Sequence, residues 1–229
     1  EHLAGAPLDD ELHARVALAE GDARWALGDL DGATRAYAAA CRHADHVADP
    51  ALRARAEVGA AAHANPMISD PARAERLADV DARLPESHDR ADPALRIRLR
   101  GRRAVSLVGL PGRLEEAQAL ADDAVERARA LGDLDELSRA LADRLFVLAS
   151  PEDHDRRAAN ADELIDLADA AGNLAVAQRG HAWRYSARLS EGDLDGALAS
   201  LETLEALGAI MPSPYWRWEA AMRRAGPCS

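Results

Sequence analysis

The stretch Gly28-Asp29-Leu30-Asp31-Gly32-Ala33 decides the fold, because the identical hexapeptide returns as Gly192-Asp193-Leu194-Asp195-Gly196-Ala197, 164 residues further along the chain. Two identical copies indicate an internal repeat. The first glycine of each copy can take the left-handed backbone conformation that ends a helix. The hexapeptide therefore predicts a tight turn after a helix at both places.

Turn signals recur throughout the chain at nearly even intervals of 18 to 22 residues. They are Gly28-Asp29, Asp49-Pro50, Asp70-Pro71, Asp92-Pro93, Gly112, Gly132-Asp133, Ser150-Pro151, Gly172-Asn173, Gly192-Asp193 and Ser213-Pro214. Each interval holds one helix and one turn, so a helical hairpin recurs every 38 to 43 residues. Because such hairpins cover one another's apolar faces, we predict an all-α fold. The expected architecture is an α-solenoid of about eleven antiparallel helices forming one domain over residues 1–229.

Prolines and glycines mark where the helices begin and end. A capping aspartate or serine precedes a proline at five helix starts, and five glycines, Gly208 among them, mark helix ends. The predicted helices are 8–27, 31–46, 50–64, 71–83, 93–109, 113–131, 134–148, 151–171, 174–191, 194–208 and 214–224. Residues 95–100 alternate with the period of a strand, but Asp92-Pro93 favours a helix there. A longer loop is predicted at 84–92.

The composition excludes several classes of function. All 28 basic residues are arginines, so the chain has neither the lysine of a phosphate-binding loop nor one for Schiff-base catalysis. A net charge of −12 disfavours direct nucleic-acid binding. No apolar run is long enough to span a membrane. Two cysteines, Cys41 and Cys228, are typical of a reducing cytoplasm. We expect no cofactor.

The first hairpin resembles a tetratricopeptide repeat. Gly21, Gly28, Ala33, Tyr37 and Ala40 follow that family's spacing of small, turn, small, aromatic and small residues. The period of 38 to 43 residues is longer than the usual repeat of about 34. The resemblance implies a tetratricopeptide-like solenoid.

The last hundred residues carry a second resemblance, on five segments in order. These are Ala128-Arg129-Ala130-Leu131-Gly132-Asp133, Glu163-Leu164-Ile165-Asp166-Leu167-Ala168, Glu191-Gly192-Asp193-Leu194, Pro214-Tyr215-Trp216-Arg217-Trp218 and Arg223-Arg224-Ala225. Together they are similar to the helical-repeat region behind the ATPase module of bacterial large ATP-binding transcriptional regulators of the LuxR type. Related regions occur in ATPase-linked nucleotide cyclases.

This resemblance implies a non-catalytic sensor or protein-interaction segment cut from a longer protein. Its partners would be a protein, peptide or small-molecule effector in the concave groove, and the ATPase module of the same parent chain. A free-standing scaffold and the helical region of a cyclase remain alternatives. A chain that ends without a capping helix is expected to expose apolar surface, which favours a homodimer.

Two groups of residues are candidates for partner or effector binding. Arg96, Arg100 and Arg103 form a basic stripe on the fifth predicted helix, where they could grip a carboxylate, a phosphate or an acidic peptide. The alternative is pairing with acidic residues of adjacent helices. Trp183, Tyr185 and Trp216 fall on helices expected to line the concave wall, where exposed aromatic residues anchor partners. The alternative, which we favour, is packing between hairpins.

Other constellations are expected to be structural. Cys41, His43 and His46, with Asp45 and Asp49, hint at a metal site, but too few ligands share a face to close one, so no metal is predicted. The acidic runs Asp122-Asp123, Glu152-Asp153 and Asp162-Glu163 could serve as acid/base pairs. Helix capping and compensation of the helix dipole explain them better.

Overall fold

A computed structural model describes residues 9–62, 70–88, 92–148, 150–211 and 214–226. For Ala26, Pro151 and residues 214–216 it describes the backbone alone. Within these ranges the chain forms eleven α-helices, a short 3-10 helix at Pro151–Asp153, and no strand. The helices are α1 Asp10–Ala26, α2 Leu30–Ala44, α3 Pro50–Ala62, α4 Pro71–Arg83, α5 Pro93–Leu107, α6 Leu114–Leu131, α7 Leu134–Val147, α8 His154–Ala171, α9 Leu174–Glu191, α10 Leu194–Ile210 and α11 Pro214–Arg224. The prediction of an all-α fold is confirmed.

The segment with strand-like alternation lies inside α5, as the preceding aspartate and proline indicate. The Asp92 carboxylate accepts a hydrogen bond from the backbone N–H of Leu95 at 3.2 Å and caps the helix. Asp70 caps α4 in the same way through the N–H of Arg73 at 3.0 Å. Proline after the cap has no N–H to leave unsatisfied. These caps confirm the helix starts that the sequence predicts there.

Several predicted helix boundaries are wrong by two or three residues: the helices predicted at 31–46 and 93–109 end at Ala44 and Leu107, and two others have an evident local cause. Gly208 does not end its helix, because α10 runs on to Ile210 and stops where Met211 becomes extended. A glycine inside a helix costs only about 1 kcal/mol, so packing readily overrides it. The helix predicted from residue 151 begins at His154, since Pro151–Asp153 forms a tighter 3-10 turn first. In the predicted loop at 84–92, residues 89–91 lie outside the described residues.

The first copy of the hexapeptide forms a compact turn between α1 and α2. Gly28 has φ of 79°, a conformation that residues with a Cβ rarely adopt. The N–H of Asp29 reaches back to the carbonyl of Arg24 at 2.9 Å. The Asp29 carboxylate accepts from the N–H of Gly32 at 2.9 Å and pairs with the Arg24 guanidinium at 2.8 Å. Ala33 follows, fully buried.

The second copy, between α9 and α10, repeats each of these features. Gly192 has φ of 76°, and the N–H of Asp193 donates to the carbonyl of Arg188 at 2.9 Å. The Asp193 carboxylate accepts from the N–H of Gly196 at 2.9 Å and lies 3.4 Å from the Arg188 guanidinium. Ala197 is 1% exposed. The identical sequence therefore builds the same helix end, the same cap and the same buried alanine twice.

Substitution of the turn glycines tests this equivalence. We expect Gly28→Ala and Gly192→Ala each to lower the free energy of unfolding by about 1–2 kcal/mol, because each forces a Cβ into the left-handed conformation. Urea unfolding followed by circular dichroism measures the change. Asparagine, which tolerates this conformation, should cost less at both positions. Unequal losses at the two sites would contradict the equivalence.

Neighbouring helices along the chain pack against one another. Adjacent helices that pack together include α1 with α2, α4 with α5, α8 with α9, and α9 with α10. Contacts between next-but-one helices join α1 to α3, α3 to α5, and α7 to α9. Contacts between a helix and both its next and next-but-one neighbour are typical of stacked hairpins. The helices cluster into two compact units, Glu1–Ala124 and Val125–Ser229. That the chain is one domain stays a prediction.

Alanine is frequent in the cores of both units. In the first unit, Ala14 and Ala17 of α1 pack with Ala40 and Ala44 of α2. In the second, Leu201 and Leu204 of α10 pack with residues of α9 and α11, one of which is Ala182. Alanine at such positions lets helix axes approach closely, as hairpin packing requires. None of the helices in the described ranges is both long and apolar enough to cross a bilayer.

Candidate binding sites

The Arg96 side chain is buried and bound within the protein. Its guanidinium lies 2.6 Å from a carboxylate oxygen of Asp81 and 2.7 Å from the carbonyl oxygen of Leu84. Weaker bonds at 3.2 and 3.4 Å reach the carbonyls of Asp81 and Pro85. The last carbonyls of a helix have no partner within it, so Arg96 satisfies groups at the end of α4. Arg96 therefore joins α5 to the end of α4.

The other two arginines of the predicted stripe also have carboxylate partners. Arg100 is hydrogen-bonded to Asp123 of α6, and its Nε lies 3.7 Å from Asp81. Arg103 donates to Glu116 of α6 at 2.5 Å. The structure thus shows the three arginines paired with acidic residues of adjacent helices, which the sequence analysis gave as the alternative to ligand binding. An anionic ligand would have to displace these carboxylates, and binding of a partner here stays a prediction.

Two of the candidate aromatic residues pack within the second unit. The Trp183 ring meets Phe146 edge to face, with centroids 5.3 Å apart. The Tyr185 hydroxyl donates to the carbonyl oxygen of Arg223 at 3.1 Å, and the Arg223 guanidinium lies 5.9 Å from the centre of the Tyr185 ring. Both rings are half-buried. The side chain of Trp216 lies outside the described residues.

The residues around Cys41 do not assemble the metal cluster weighed from the sequence. Asp45 pairs with Arg53 at 3.1 Å, and Asp49 caps α3 through the N–H of Ala51 at 2.9 Å. Burial raises the pKa of the Cys41 thiol to about 12, so it is a poor thiolate ligand at neutral pH.

His43 instead turns towards α1. Its Nδ1 lies 2.9 Å from Oδ1 of Asp10, and this hydrogen bond lowers the pKa of the Asp10 carboxyl. The His43 ring also stacks on His13, with centroids 4.9 Å apart. Sequence reasoning missed Asp10 and His13, although their spacing of three residues places them on one helix face.

The raised pKa of Cys41 predicts slow alkylation of the folded chain. At pH 8 a thiol of pKa about 12 is ionised roughly a thousandfold less often than a free cysteine of pKa about 8.5. In a Cys228→Ser background, we expect iodoacetamide to react with Cys41 at least a hundredfold faster in denaturant than in buffer, as followed by mass spectrometry. Equal rates would contradict the buried thiol.

The acidic runs are engaged with arginines in the described ranges. Asp162 of α8 pairs with Arg184 of α9 at 2.5 Å, and Glu163 pairs with Arg129 of α6 at 2.6 Å. Asp153 lies 3.0 Å from Arg156. These ion pairs join neighbouring turns and helices, which suits a structural role.

Helix α10 carries apolar side chains on both its buried and its exposed sides. Leu201 and Leu204 face the core, while Leu194, Leu198 and Ile210 are 64%, 50% and 67% exposed. Large apolar residues on the exposed part of a helix contribute to binding when a partner covers them. The exposed side of α10 is therefore the clearest candidate interaction surface of the second unit.

Comparison with known proteins adds no family to these observations. No protein-family model matches the chain, and no curated protein matches it at a significant level.

Proposed function

We propose that this chain is a non-catalytic sensor and protein-interaction segment of a bacterial ATP-dependent transcriptional regulator of the LuxR type. In this proposal its hairpins stack as a tetratricopeptide-like α-solenoid of antiparallel helices. The repeated Gly-Asp turn, the buried alanine after it and the contacts between next-but-one helices support the stacking. The cytoplasm is the corresponding location.

The observation that carries the interaction role is the exposure of large apolar residues along α10. Leu194, Leu198 and Ile210 are 64%, 50% and 67% exposed at different points along a helix that also contributes Leu201 and Leu204 to the core. Apolar surface of this kind contributes to affinity when a partner removes it from water. The partner we propose is the ATP-binding module of the same parent protein. Because the two would be linked in one chain, the module would meet this surface at a high effective concentration.

The proposed mechanism is a shift between conformations of the repeat. An effector that binds one curvature of the stack more tightly than another shifts the population towards that curvature. The contact between the segment and the ATP-binding module then changes with it. In this scheme the chain recognises the effector. Nucleotide binding by a phosphate-binding loop requires a lysine, and this chain contains none.

The affinity between this chain and the ATP-binding module encoded in its reading frame tests the proposal. We expect Leu198→Asp to weaken binding at least tenfold, because it places a charge in the apolar contact. The matched control is Glu202→Ala, an exposed residue one turn further along α10. Calorimetry measures both variants. Absence of binding, or equal effects of the two substitutions, would contradict the proposed contact.

A further inference from the structure

Three potential metal ligands meet where α1 begins and α2 ends. Asp10 lies in the first turn of α1, His13 one turn later, and His43 in the last turn of α2. Each offers one ligand atom, and the three atoms all lie within 4.8 Å of one another. Asp10 and His43 are 33 residues apart in sequence, so the tight turn at Gly28 brings them together.

The donor set is the kind that divalent transition metals prefer. Two imidazoles and one carboxylate are found in zinc sites that keep an open position for water and in facial triads that bind other metals. Ligand atoms about 2.1 Å from a tetrahedral zinc are roughly 3.4 Å apart. The Asp10 and His43 groups are already closer than this, at 2.9 Å. A small change of side-chain torsions would therefore complete the geometry.

His13 provides a second, independent indication. Its Nδ1 is buried and has no hydrogen-bond partner among the described residues. A buried ring nitrogen without a partner is costly, so the fold leaves the His13 imidazole incompletely satisfied. The stacking of His13 on His43, at 4.9 Å between centroids, already holds the two rings side by side. The side chains of His43 and Asp10 remain 37% and 44% exposed, which leaves the site open to solvent.

We propose that Asp10, His13 and His43 form a binding site for Zn²⁺, with water in the remaining position. The metal replaces the proton that Asp10 and His43 share and fastens the end of α2 to the start of α1. A metal that closes a long loop restricts the unfolded chain, so binding stabilises the first hairpin. This site is independent of the interaction surface on α10 and goes beyond the proposed function.

Titration of the untagged, chelator-treated chain with ZnCl₂ tests the site. Calorimetry should give one tight site per chain with a Kd in the micromolar range. We expect His13→Ala and His43→Ala each to weaken that site at least tenfold, because each removes a ligand. The matched control is His154→Ala, which removes an exposed histidine lying 3.2 Å from a carboxylate of Asp155 in the other unit, and it should bind as the unmodified chain does.

Two further measurements separate loss of a ligand from loss of the fold. Asp10→Asn keeps the size of an exposed side chain, and circular dichroism should show unchanged helix content while Zn²⁺ affinity falls. Co²⁺ should give the absorption bands of a four-coordinate site with the unmodified chain and weaker bands with His13→Ala. Stoichiometric binding that all three ligand variants retain, or no binding below millimolar Zn²⁺, would overturn the proposal.

Discussion

Replacement of Tyr37 by alanine is expected to lower the free energy of unfolding by about 3–5 kcal/mol. The Tyr37 ring is 1% exposed and is enclosed on two sides by glycines. A Cβ at Gly21 of α1 or at Gly59 of α3 would lie only 2.7 or 2.8 Å from the ring. The ring thus fills space between three helices, and its loss leaves a cavity.

Urea unfolding followed by circular dichroism measures this effect, and Tyr37→Phe is its matched control. Phenylalanine keeps the packing and removes only the hydroxyl, which donates to the Asp22 carboxylate at 2.6 Å. That hydrogen bond is expected to contribute about 1.5 kcal/mol. If alanine cost no more than phenylalanine, packing of the ring between α1, α2 and α3 would not be the source of the stability.

Replacement of Arg96 by methionine is expected to cost about 3–5 kcal/mol. The side chains of Arg96 and Asp81 are only 9% and 13% exposed, so removal of the guanidinium leaves a nearly buried carboxylate whose remaining cation, Arg100, is 3.7 Å away. The carbonyl oxygen of Leu84 loses a donor as well. Desolvated groups without partners are costly, and the same unfolding measurement should register the loss.

The control for Arg96 is an exposed pair on α4. Arg83 lies 2.7 Å from Asp79, but its side chain is 61% exposed. Exposed ion pairs contribute at most about 1 kcal/mol, so Arg83→Met should change stability little. The double variant Arg96→Met/Asp81→Leu should recover part of the loss, because it also removes the nearly buried carboxylate that has lost its closest partner. Equal losses for Arg83→Met and Arg96→Met would contradict a structural role for the buried pair.

Local chemistry explains why the sequence predicts the helices so well. Aspartate before proline and glycine before aspartate act through bonds within a few residues, such as the cap from Asp92 to Leu95. Such signals need no knowledge of the tertiary structure. Gly208 is an exception to these local signals. It lies inside α10, where packing of the helix outweighs the preference of glycine for a helix end.

The candidate sites were harder to predict because their partners are distant in sequence. The chain has 40 acidic residues, so the stripe of arginines could have faced any of them or a ligand. The partners Asp81 and Asp123 lie 15 and 23 residues from the arginines they bind. Asp10 and His43 are separated by 33 residues, and only the closed turn brings them within 2.9 Å. Tertiary packing decides which surfaces meet. A single sequence carries little direct information about that packing.

The complete reading frame around these residues tests the central claim most directly. For a regulator of the LuxR type, the account predicts a Gly-x-x-x-x-Gly-Lys-Ser/Thr loop before Glu1, with a lysine for the nucleotide phosphates, and a helix-turn-helix after Ser229. A cyclase module in place of the helix-turn-helix would preserve the sensor role and change the output. A frame that encodes only these residues would contradict the regulator and make a free-standing scaffold the better account.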